Sequence, residues 1–216
     1  MAEIKFCGLT RPADAAVAAE LGAAYAGVIF AHGPRLLDLP GARAVFAALG
    51  GTPVRRVGVF GRQPVSEIAR IASDTSLHVV QLHHGATPDA LLILRESFAG
   101  EVWAVLGVGR DTLPEGGEFL ADQVDAVVLD TMVDGRTGGT GATFDWTGVA
   151  PAVAALRPRT RVVLAGGLRA SNVARAVRVL APDVVDVSSG VESAPGIKDP
   201  DQMRAFAAAA RSREDR

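Results

Sequence analysis

The 216-residue sequence predicts a single domain of the α/β class, a closed (β/α)8 barrel, also called a TIM barrel. Short apolar runs rich in Val, Ile and Leu alternate along the chain with alanine-rich segments of helical spacing. The apolar runs are nearly continuous, which is typical of strands buried on both faces of a parallel sheet. The strand and helix units recur at roughly 27 residues, and a barrel of about 200–250 residues contains eight of them. A doubly wound open sheet is the structural alternative, but it usually contains fewer units.

The predicted elements follow one another in a regular order. The predicted strands lie at residues 3–7, 24–30, 54–60, 77–82, 101–106, 125–129, 161–165 and 184–188. The predicted helices lie at residues 12–22, 40–49, 65–74, 88–98, 116–122, 146–156, 170–180 and 200–211. Asp145 stands directly before the sixth helix and is predicted to cap it. We expect the barrel to cover residues 1–211 and the charged tail, residues 212–216, to be frayed.

The composition argues against several classes of function. The formal net charge is −2, so the chain has no positive excess with which to bind nucleic acid or an anionic membrane. Its apolar runs are interrupted well before the ~20 residues of a membrane-spanning helix, and no signal-peptide pattern opens the sequence. Cys7 is the single cysteine, which rules out an internal disulfide. We therefore expect a cytoplasmic protein without nucleic-acid or membrane partners.

Chemistry in this fold belongs at the carboxyl ends of the strands, where the loops form the mouth of the barrel. Reactive or polar side chains lie at or just beyond the ends of five predicted strands, and these are Cys7, Arg35, His83 with His84, Asp130 and Asp186. Strand 6 ends on Asp130 and opens into a glycine-rich loop, an arrangement that places a catalytic acid over a cavity. The alternative for this stretch is a surface turn before an ordinary helix N-terminus.

Glycines follow the last two predicted strands. The segments LAGGL (164–168) and SSG (188–190) contain Gly166, Gly167, Ser189 and Gly190. Backbone N–H groups bind phosphate well, and glycine lets them approach it closely. The loops after strands 7 and 8 are also the usual phosphate site of this fold. The sequence therefore predicts a phosphate site at these four residues, with a pair of tight turns as the structural alternative.

Seven motifs lie in order along the chain. They are KFCGLTRPADA (5–15), GVIF with GPR (27–35), VGVF (57–60), VVQLH (79–83), LD with GGTG and FDW (129–146), LAGGL (164–168) and VDVSSGVESAPGIKDP (185–200). Together they resemble the phosphoribosylanthranilate isomerase family of tryptophan biosynthesis. The resemblance implies a (β/α)8-barrel isomerase of aromatic amino-acid biosynthesis that uses no cofactor. It implies a small phosphorylated sugar as substrate, N-(5-phosphoribosyl)anthranilate, and the product 1-(2-carboxyphenylamino)-1-deoxyribulose 5-phosphate; we expect a monomer or a homodimer.

The resemblance also implies a catalytic pair. This reaction opens the ribose ring, which needs an acid at the ring oxygen, and then removes a proton from C2, which needs a base. The family's acid and base fall on Asp130 and Cys7 of this sequence. Asp130 must be protonated, and burial under a closed 131–144 loop would raise its pKa. Cys7 must be available as a thiolate, and Lys5 lies two residues back on the same strand face. Without the resemblance, a lone cysteine in an apolar strand is more often a small core residue.

Further residues are expected to contact the substrate. The resemblance makes Arg35 the partner of the anthranilate carboxylate, although the loop before it is shorter than usual; its alternative partners are solvent or a helix end. His83, Asp186 and Gly141 are the other expected contacts. His83 could instead satisfy a backbone carbonyl, and Asp186 could orient a sugar hydroxyl or a phosphate-loop amide. His84 is an extra residue, so the two histidines could exchange roles. Neighbouring strand residues point to opposite faces, so we expect no metal on this pair.

Other functions stay open as alternatives. A Schiff-base aldolase needs an activated lysine, and Lys5 is the only lysine in a predicted strand that could serve. The histidine-pathway isomerase does similar chemistry with two aspartates, the first of which sits where this chain has Cys7. A non-catalytic barrel that binds a phosphorylated ligand or a partner protein would keep the glycines after strands 7 and 8. It would have no reason to place both Cys7 and Asp130 at the mouth.

Overall fold

The computed structural model describes residues 1–133, 136–137 and 143–212, and gives only the backbone for residues 133, 136 and 137. Within this part of the chain the barrel strands are β1 (Glu3–Phe6), β2 (Tyr25–Ile29), β3 (Arg55–Phe60), β4 (Val79–Leu82), β5 (Glu101–Val108), β6 (Ala126–Val133), β7 (Arg161–Leu164) and β8 (Val184–Val187). The helices are α1 (Pro12–Glu20), α2 (Leu39–Ala47), α3 (Val65–Asp74), α4 (Pro88–Ser97), α5 (Gly117–Ala121), α6 (Trp146–Leu156), α7 (Ala170–Leu180) and α8 (Pro200–Arg211).

The strands form a closed parallel barrel. Each strand pairs in parallel with the next one along the chain, and β8 pairs with β1, so the sheet has no open edge. Lys5 of β1 lies opposite Tyr25 on one side and Asp186 on the other. A ring of helices covers the outside, because every strand is followed by one helix. The prediction of a (β/α)8 barrel is therefore confirmed, and the doubly wound open sheet is wrong.

The amino-terminal end of the barrel is closed by aromatic and charged side chains. The rings of Tyr25 and Trp103 meet edge to face with centroids 4.8 Å apart, and both side chains are buried. The Tyr25 hydroxyl accepts a hydrogen bond of 2.7 Å from Arg161. Arg55 and the Trp103 indole both donate to Glu101, at 2.6 Å and 2.8 Å. These residues stand at or near the first positions of their strands, so together they form the floor of the barrel.

Local signals place most helix starts where the sequence predicts them. The Asp145 carboxylate accepts a hydrogen bond of 3.0 Å from the backbone N–H of Thr147, which confirms the predicted cap of α6. Helix α5 has only five residues; it begins at Gly117, one residue later than predicted, because Gly116 takes a left-handed φ of 79° directly before it. No helix in the described ranges has the length and apolar character needed to cross a membrane.

A small antiparallel hairpin follows β8 and was not predicted. After a short 3-10 turn, residues Glu192–Ala194 pair with Ile197–Lys198, and Gly196 turns the chain with a φ of 81°. The hairpin brings the side chains of Glu192 and Lys198 against the mouth of the barrel. Strand β6 also continues past Asp130 to Val133, four residues beyond its predicted end at Leu129.

Candidate active site

The carboxyl ends of the strands enclose a cavity of about 660 Å³. Most predicted site residues line it, and these are Cys7, Arg35, His83, His84, Asp130, Gly166, Gly167, Asp186, Ser189 and Gly190. Gly141, the remaining predicted contact, lies outside the described residues. The barrel thus brings into one cavity residues that are up to 183 positions apart, from Cys7 to Gly190.

Asp130 is placed as a buried carboxyl at the edge of the cavity. Its side chain is 8 % exposed. Burial raises the pKa of Asp130 to about 6, and the nearby Asp186 carboxylate adds to this rise. The backbone N–H of Thr131 and the Lys5 ammonium oppose the rise only in part. Asp130 therefore keeps its proton to a far higher pH than an exposed aspartate does.

A glycine on the neighbouring strand tip allows this placement of Asp130. Gly166 follows β7 with a φ of 83°. A Cβ atom at this position would lie 2.9 Å from Oδ1 of Asp130 and 2.6 Å from the backbone nitrogen of Thr131. Any side chain at residue 166 would therefore push the acid out of its position.

Cys7 lies beside a buried ion pair. The Nζ atom of Lys5 is 2.6 Å from Oδ2 of Asp186, and the Lys5 side chain is fully buried. Burial raises the pKa of the Cys7 thiol, and the positive charge of Lys5 lowers it again only in part. Lys5 therefore favours the Cys7 thiolate, as expected from its position, but does not outweigh burial, because Asp186 shares the charge of the lysine.

The same ion pair bears on the aldolase alternative. Burial alone would lower the pKa of Lys5, but the charge of Asp186 and the Cys7 thiol outweigh it, so the net direction is upward. An amine must lose its proton before it can attack a carbonyl. Lys5 is thus held as an ammonium group below the reactive mouth, which disfavours Schiff-base chemistry.

Arg35 is held in the cavity wall by the hairpin. Its Nε and Nη2 atoms donate to the two carboxylate oxygens of Glu192 at 2.8 Å and 2.7 Å. Lys198 donates to Glu192 at 2.7 Å and to the backbone carbonyl of Ser188 at 3.0 Å. Burial would raise the pKa of Glu192, but Arg35 and Lys198 hold it below its usual value. Two of the guanidinium's five N–H groups serve this pair, and its Nη1 group is not used by it.

The glycines after β7 and β8 pack against each other. Gly166 and Gly167 have φ values of 83° and 63°, in the left-handed region that favours glycine. A Cβ atom on Gly190 would lie only 1.9 Å from the carbonyl oxygen of Leu168, so the two turns approach as closely as backbone allows. The side chain of Asn172 donates to the carbonyl of Gly167 at 3.0 Å and ties this turn to the start of α7.

The two histidines both reach the cavity. Strand β4 ends at Leu82, so the alternation of faces does not extend to His83 and His84, and both line the cavity. Their rings meet edge to face with centroids 4.7 Å apart. Burial, followed by the charges of Arg62 and His32, lowers the pKa of His84. The premise that the two histidines must point to opposite faces is therefore wrong. In the described part of the chain, no group of three His, Cys, Asp or Glu residues is arranged to hold a metal.

Three site residues were missed by the sequence analysis. Glu192 binds Arg35, Lys198 binds Glu192, and Gln81 of β4 lines the cavity floor. The sequence offered a signal for Gln81, because it is the only polar side chain in an otherwise apolar strand. It offered none for Glu192, whose partner Arg35 is 157 residues away.

Comparisons with known proteins agree on one family. A family model described as N-(5'phosphoribosyl)anthranilate (PRA) isomerase matches residues 4–209. The N-(5'-phosphoribosyl)anthranilate isomerase of Rubrobacter xylanophilus is 38% identical over 213 residues, which is 98% of this chain and 100% of that protein. The tryptophan biosynthesis protein TrpCF of Vibrio cholerae is 39% identical over 207 residues, 94% of this chain, but the match spans only 41% of that longer protein.

Solved structures give the same result. The phosphoribosyl anthranilate isomerase of Thermotoga maritima superposes with a TM-score of 0.84 at 34% identity, covering 97% of this chain and 98% of that one. A second isomerase structure, in complex with reduced 1-(O-carboxyphenylamino)-1-deoxyribulose 5-phosphate, gives a TM-score of 0.81 at 32% identity, with the same coverage of 97% and 98%.

Proposed function

The chain belongs to the N-(5'-phosphoribosyl)anthranilate isomerase family of tryptophan biosynthesis, and from this premise we propose the reaction and the residues that carry it. The protein converts N-(5-phosphoribosyl)anthranilate to 1-(2-carboxyphenylamino)-1-deoxyribulose 5-phosphate, with Asp130 as general acid and Cys7 as general base. The observation that carries the proposal is that Asp130, with a pKa of about 6, shares a cavity with Cys7. An acid that keeps its proton near neutral pH and a second proton carrier are what this isomerisation needs.

The first step is ring opening. The protonated carboxyl of Asp130 gives its proton to the ring oxygen of the ribose as the bond from C1 to that oxygen breaks. The lone pair of the anthranilate nitrogen forms the C1–N double bond, which leaves a cationic iminium and an Asp130 carboxylate. The position of Asp130 near Asp186 supports this role, because a second carboxylate discourages ionisation before the substrate is in place.

The second step moves protons at carbon. Cys7, as its thiolate, takes the proton from C2 of the iminium, and the electrons of that C–H bond neutralise the nitrogen to give an enolamine. The enolamine then becomes the ketone, since its hydroxyl loses a proton and C1 gains one. Burial makes the thiolate costly in the free protein. The positive iminium formed beside Cys7 offsets this cost, because an adjacent cation favours the charged form of a thiol.

The two ends of the substrate bind on different loops. Arg35 pairs with the anthranilate carboxylate through the edge of its guanidinium that Glu192 does not use. The phosphate binds at the turns of Gly166, Gly167, Ser189 and Gly190, where glycine backbone permits close approach. Other contacts of the substrate are His83 and Asp186, both at the cavity wall, and Gly141. The relative solved with a reduced form of the product supports this class of ligand.

A fluorescence assay tests the proposal. Anthranilate fluorescence falls as the isomerase substrate is consumed, so the purified protein should produce a steady decrease at catalytic enzyme concentrations. A decrease that stops after one equivalent, or no decrease, would contradict an isomerase and favour a barrel that only binds a phosphorylated ligand. Sedimentation of the same preparation decides between the monomer and the homodimer, and an isomerase from Thermotoga maritima is described as dimeric.

A further inference from the structure

Gln81 has a buried side chain that no described residue satisfies. It is the third residue of β4 and lines the floor of the active-site cavity, with 4 % of its surface exposed. Its Oε1 atom is buried and has no hydrogen-bond partner, and no bond joins its amide nitrogen to another described residue. A buried amide oxygen without a partner destabilises a fold, so its place in this cavity calls for a reason.

Gln63 shows how a glutamine with a structural role looks in the same barrel. Its Oε1 atom accepts a hydrogen bond of 2.7 Å from the backbone N–H of Gly61, and its Nε2 atom donates to the carbonyl of Phe30 at 2.8 Å. Both ends of the amide are used, and they hold the loops after β2 and β3 together. Gln81 has neither contact, so bracing the barrel does not explain it.

A second buried acceptor faces the same cavity. Oδ1 of Asp186 is buried and has no hydrogen-bond partner, while its Oδ2 atom binds Lys5. A carboxylate oxygen can only accept, and an amide can both accept and donate. Among the described residues the cavity floor therefore offers two acceptor oxygens and one amide nitrogen as donor, which together fit a ligand that carries several hydroxyl groups.

We infer that Gln81 is a substrate-binding residue whose side-chain amide hydrogen-bonds a hydroxyl group of the sugar chain. The inference rests on the proposed function, since it assumes a phosphorylated sugar in this cavity. The substrate's two anionic ends need cations and backbone N–H groups, which Arg35 and the glycine turns supply. Between those ends the hydroxyl groups can both donate to Oε1 and accept from Nε2, whereas phosphate and carboxylate oxygens can only accept. Gln81 therefore binds the sugar chain, and neither the phosphate nor the anthranilate carboxylate.

Replacing Gln81 by an apolar side chain of similar size separates binding from stability. In Gln81→Met we expect the Tm to rise by about 2–4 °C, because an unpaired buried amide disappears. The Kd of the reduced product analogue should rise about 3- to 10-fold, because one neutral hydrogen bond is lost. The matched control is Gln63→Met, which removes a fully paired amide and should lower the Tm. Gln81→Leu repeats the test with a different shape.

Several results would overturn the inference. If Gln81→Met and Gln81→Leu both lower the Tm and leave the Kd of the analogue unchanged, the side chain is structural. If wild type turns over substrate and binds the analogue with the same Kd as both variants, only the assignment of Gln81 fails. If wild type neither turns over the substrate nor binds the analogue, both the proposed function and the assignment of Gln81 are wrong.

Two fragments of the substrate identify the group that Gln81 binds. Ribulose 5-phosphate carries the hydroxyl groups and inorganic phosphate does not. We expect Gln81→Met to weaken competitive inhibition by ribulose 5-phosphate about 3- to 10-fold and to leave inhibition by inorganic phosphate unchanged. Equal weakening of both inhibitors would mean that the residue acts on the phosphate site, and weakening of neither would remove the sugar contact.

Discussion

Replacing the proposed acid should make the protein more stable at neutral pH while it removes activity. In Asp130→Asn the amide keeps the size of the side chain but cannot give a proton to the ring oxygen. We expect kcat to fall by at least the ~10²-fold that is typical of losing a positioned acid. The stability gain follows from burial, because Asp130 ionises at a cost in the folded protein that it does not have in the unfolded chain.

The size of this gain depends on pH. The pKa of Asp130 is raised from 3.8 to about 6, so the folded state holds the proton more tightly than the unfolded state does. Below pH 3.8 the carboxyl is protonated in both states and does not change the free energy of unfolding. Between pH 3.8 and about 6 the unfolded chain loses this proton more readily, so the free energy of unfolding falls as pH rises. The full reduction, reached above pH 6, is about 3 kcal/mol. Between pH 4.5 and pH 7.5 the advantage of Asp130→Asn over wild type should therefore grow by about 2 kcal/mol.

Urea unfolding of both proteins at pH 4.5 and pH 7.5 measures this change directly. Using the difference between the two pH values cancels any constant loss of contacts on the asparagine side chain. Asp111→Asn is the control, since Asp111 is an exposed carboxylate and such surface changes are usually within ±0.5 kcal/mol. An advantage that is the same at both pH values would refute a buried acid with a raised pKa, and so would near-normal kcat in Asp130→Asn.

Three further substitutions and one pH profile test the rest of the site. Cys7→Ser should lower kcat by at least ~10²-fold in steady-state kinetics and change KM much less, because the hydroxyl is a far weaker acid than the thiol; an unchanged kcat would remove the base. Arg35→Ala should raise KM and largely spare kcat, since the carboxylate it binds does not react; a loss confined to kcat would contradict this. Gly190→Ala should weaken inhibition by inorganic phosphate, because its Cβ meets the Leu168 carbonyl at 1.9 Å, whereas Gly109→Ala, with no atom within 3.4 Å, should not. In wild type, kcat/KM should rise with pH to about 6 and then level off, because above that pH the loss of protonated Asp130 is offset by the gain of Cys7 thiolate. In Asp130→Asn the residual kcat/KM should continue to rise above about pH 6. A plateau above about pH 6 in both proteins would contradict the assignment of Asp130 as the acid.

The sequence was sufficient to predict the architecture because the period of its apolar runs is a local property. Each buried strand had to be short, apolar and followed by a helix, and strands β1 to β8 lie at or within a few residues of the predicted ranges. Cys7 and Asp130 could be predicted to lie in one cavity because residues that end parallel strands meet at one face of a barrel, and both line the cavity. The hairpin of Glu192–Ala194 and Ile197–Lys198 was missed, since a two- or three-residue strand has no period to detect.

What the sequence could not give was the pairing of charges. Lys5 lowers the pKa of Cys7 only in part, because its ammonium also binds Asp186, which is 181 residues away. Asp186 is also the second cause of the raised pKa of Asp130. Both effects depend on distances between strands that are remote in the sequence, and a pattern along one strand contains no information about them. The sequence predicts a raised pKa of Asp130 from burial, which is its largest cause, but does not predict the contribution of Asp186.

The floor of the barrel determines how substrate and product move. It consists of the edge-to-face pair of Tyr25 and Trp103, with Arg161, Arg55 and Glu101 bonded around it. Among the described residues, Tyr25 and Trp103 belong to a packed cluster of buried side chains inside the barrel, so the cavity opens at the carboxyl ends of the strands. Substrate arrives and product leaves through the same opening. A substrate molecule can therefore bind only after the previous product has left, and we expect no product to leave through the amino-terminal end of the barrel.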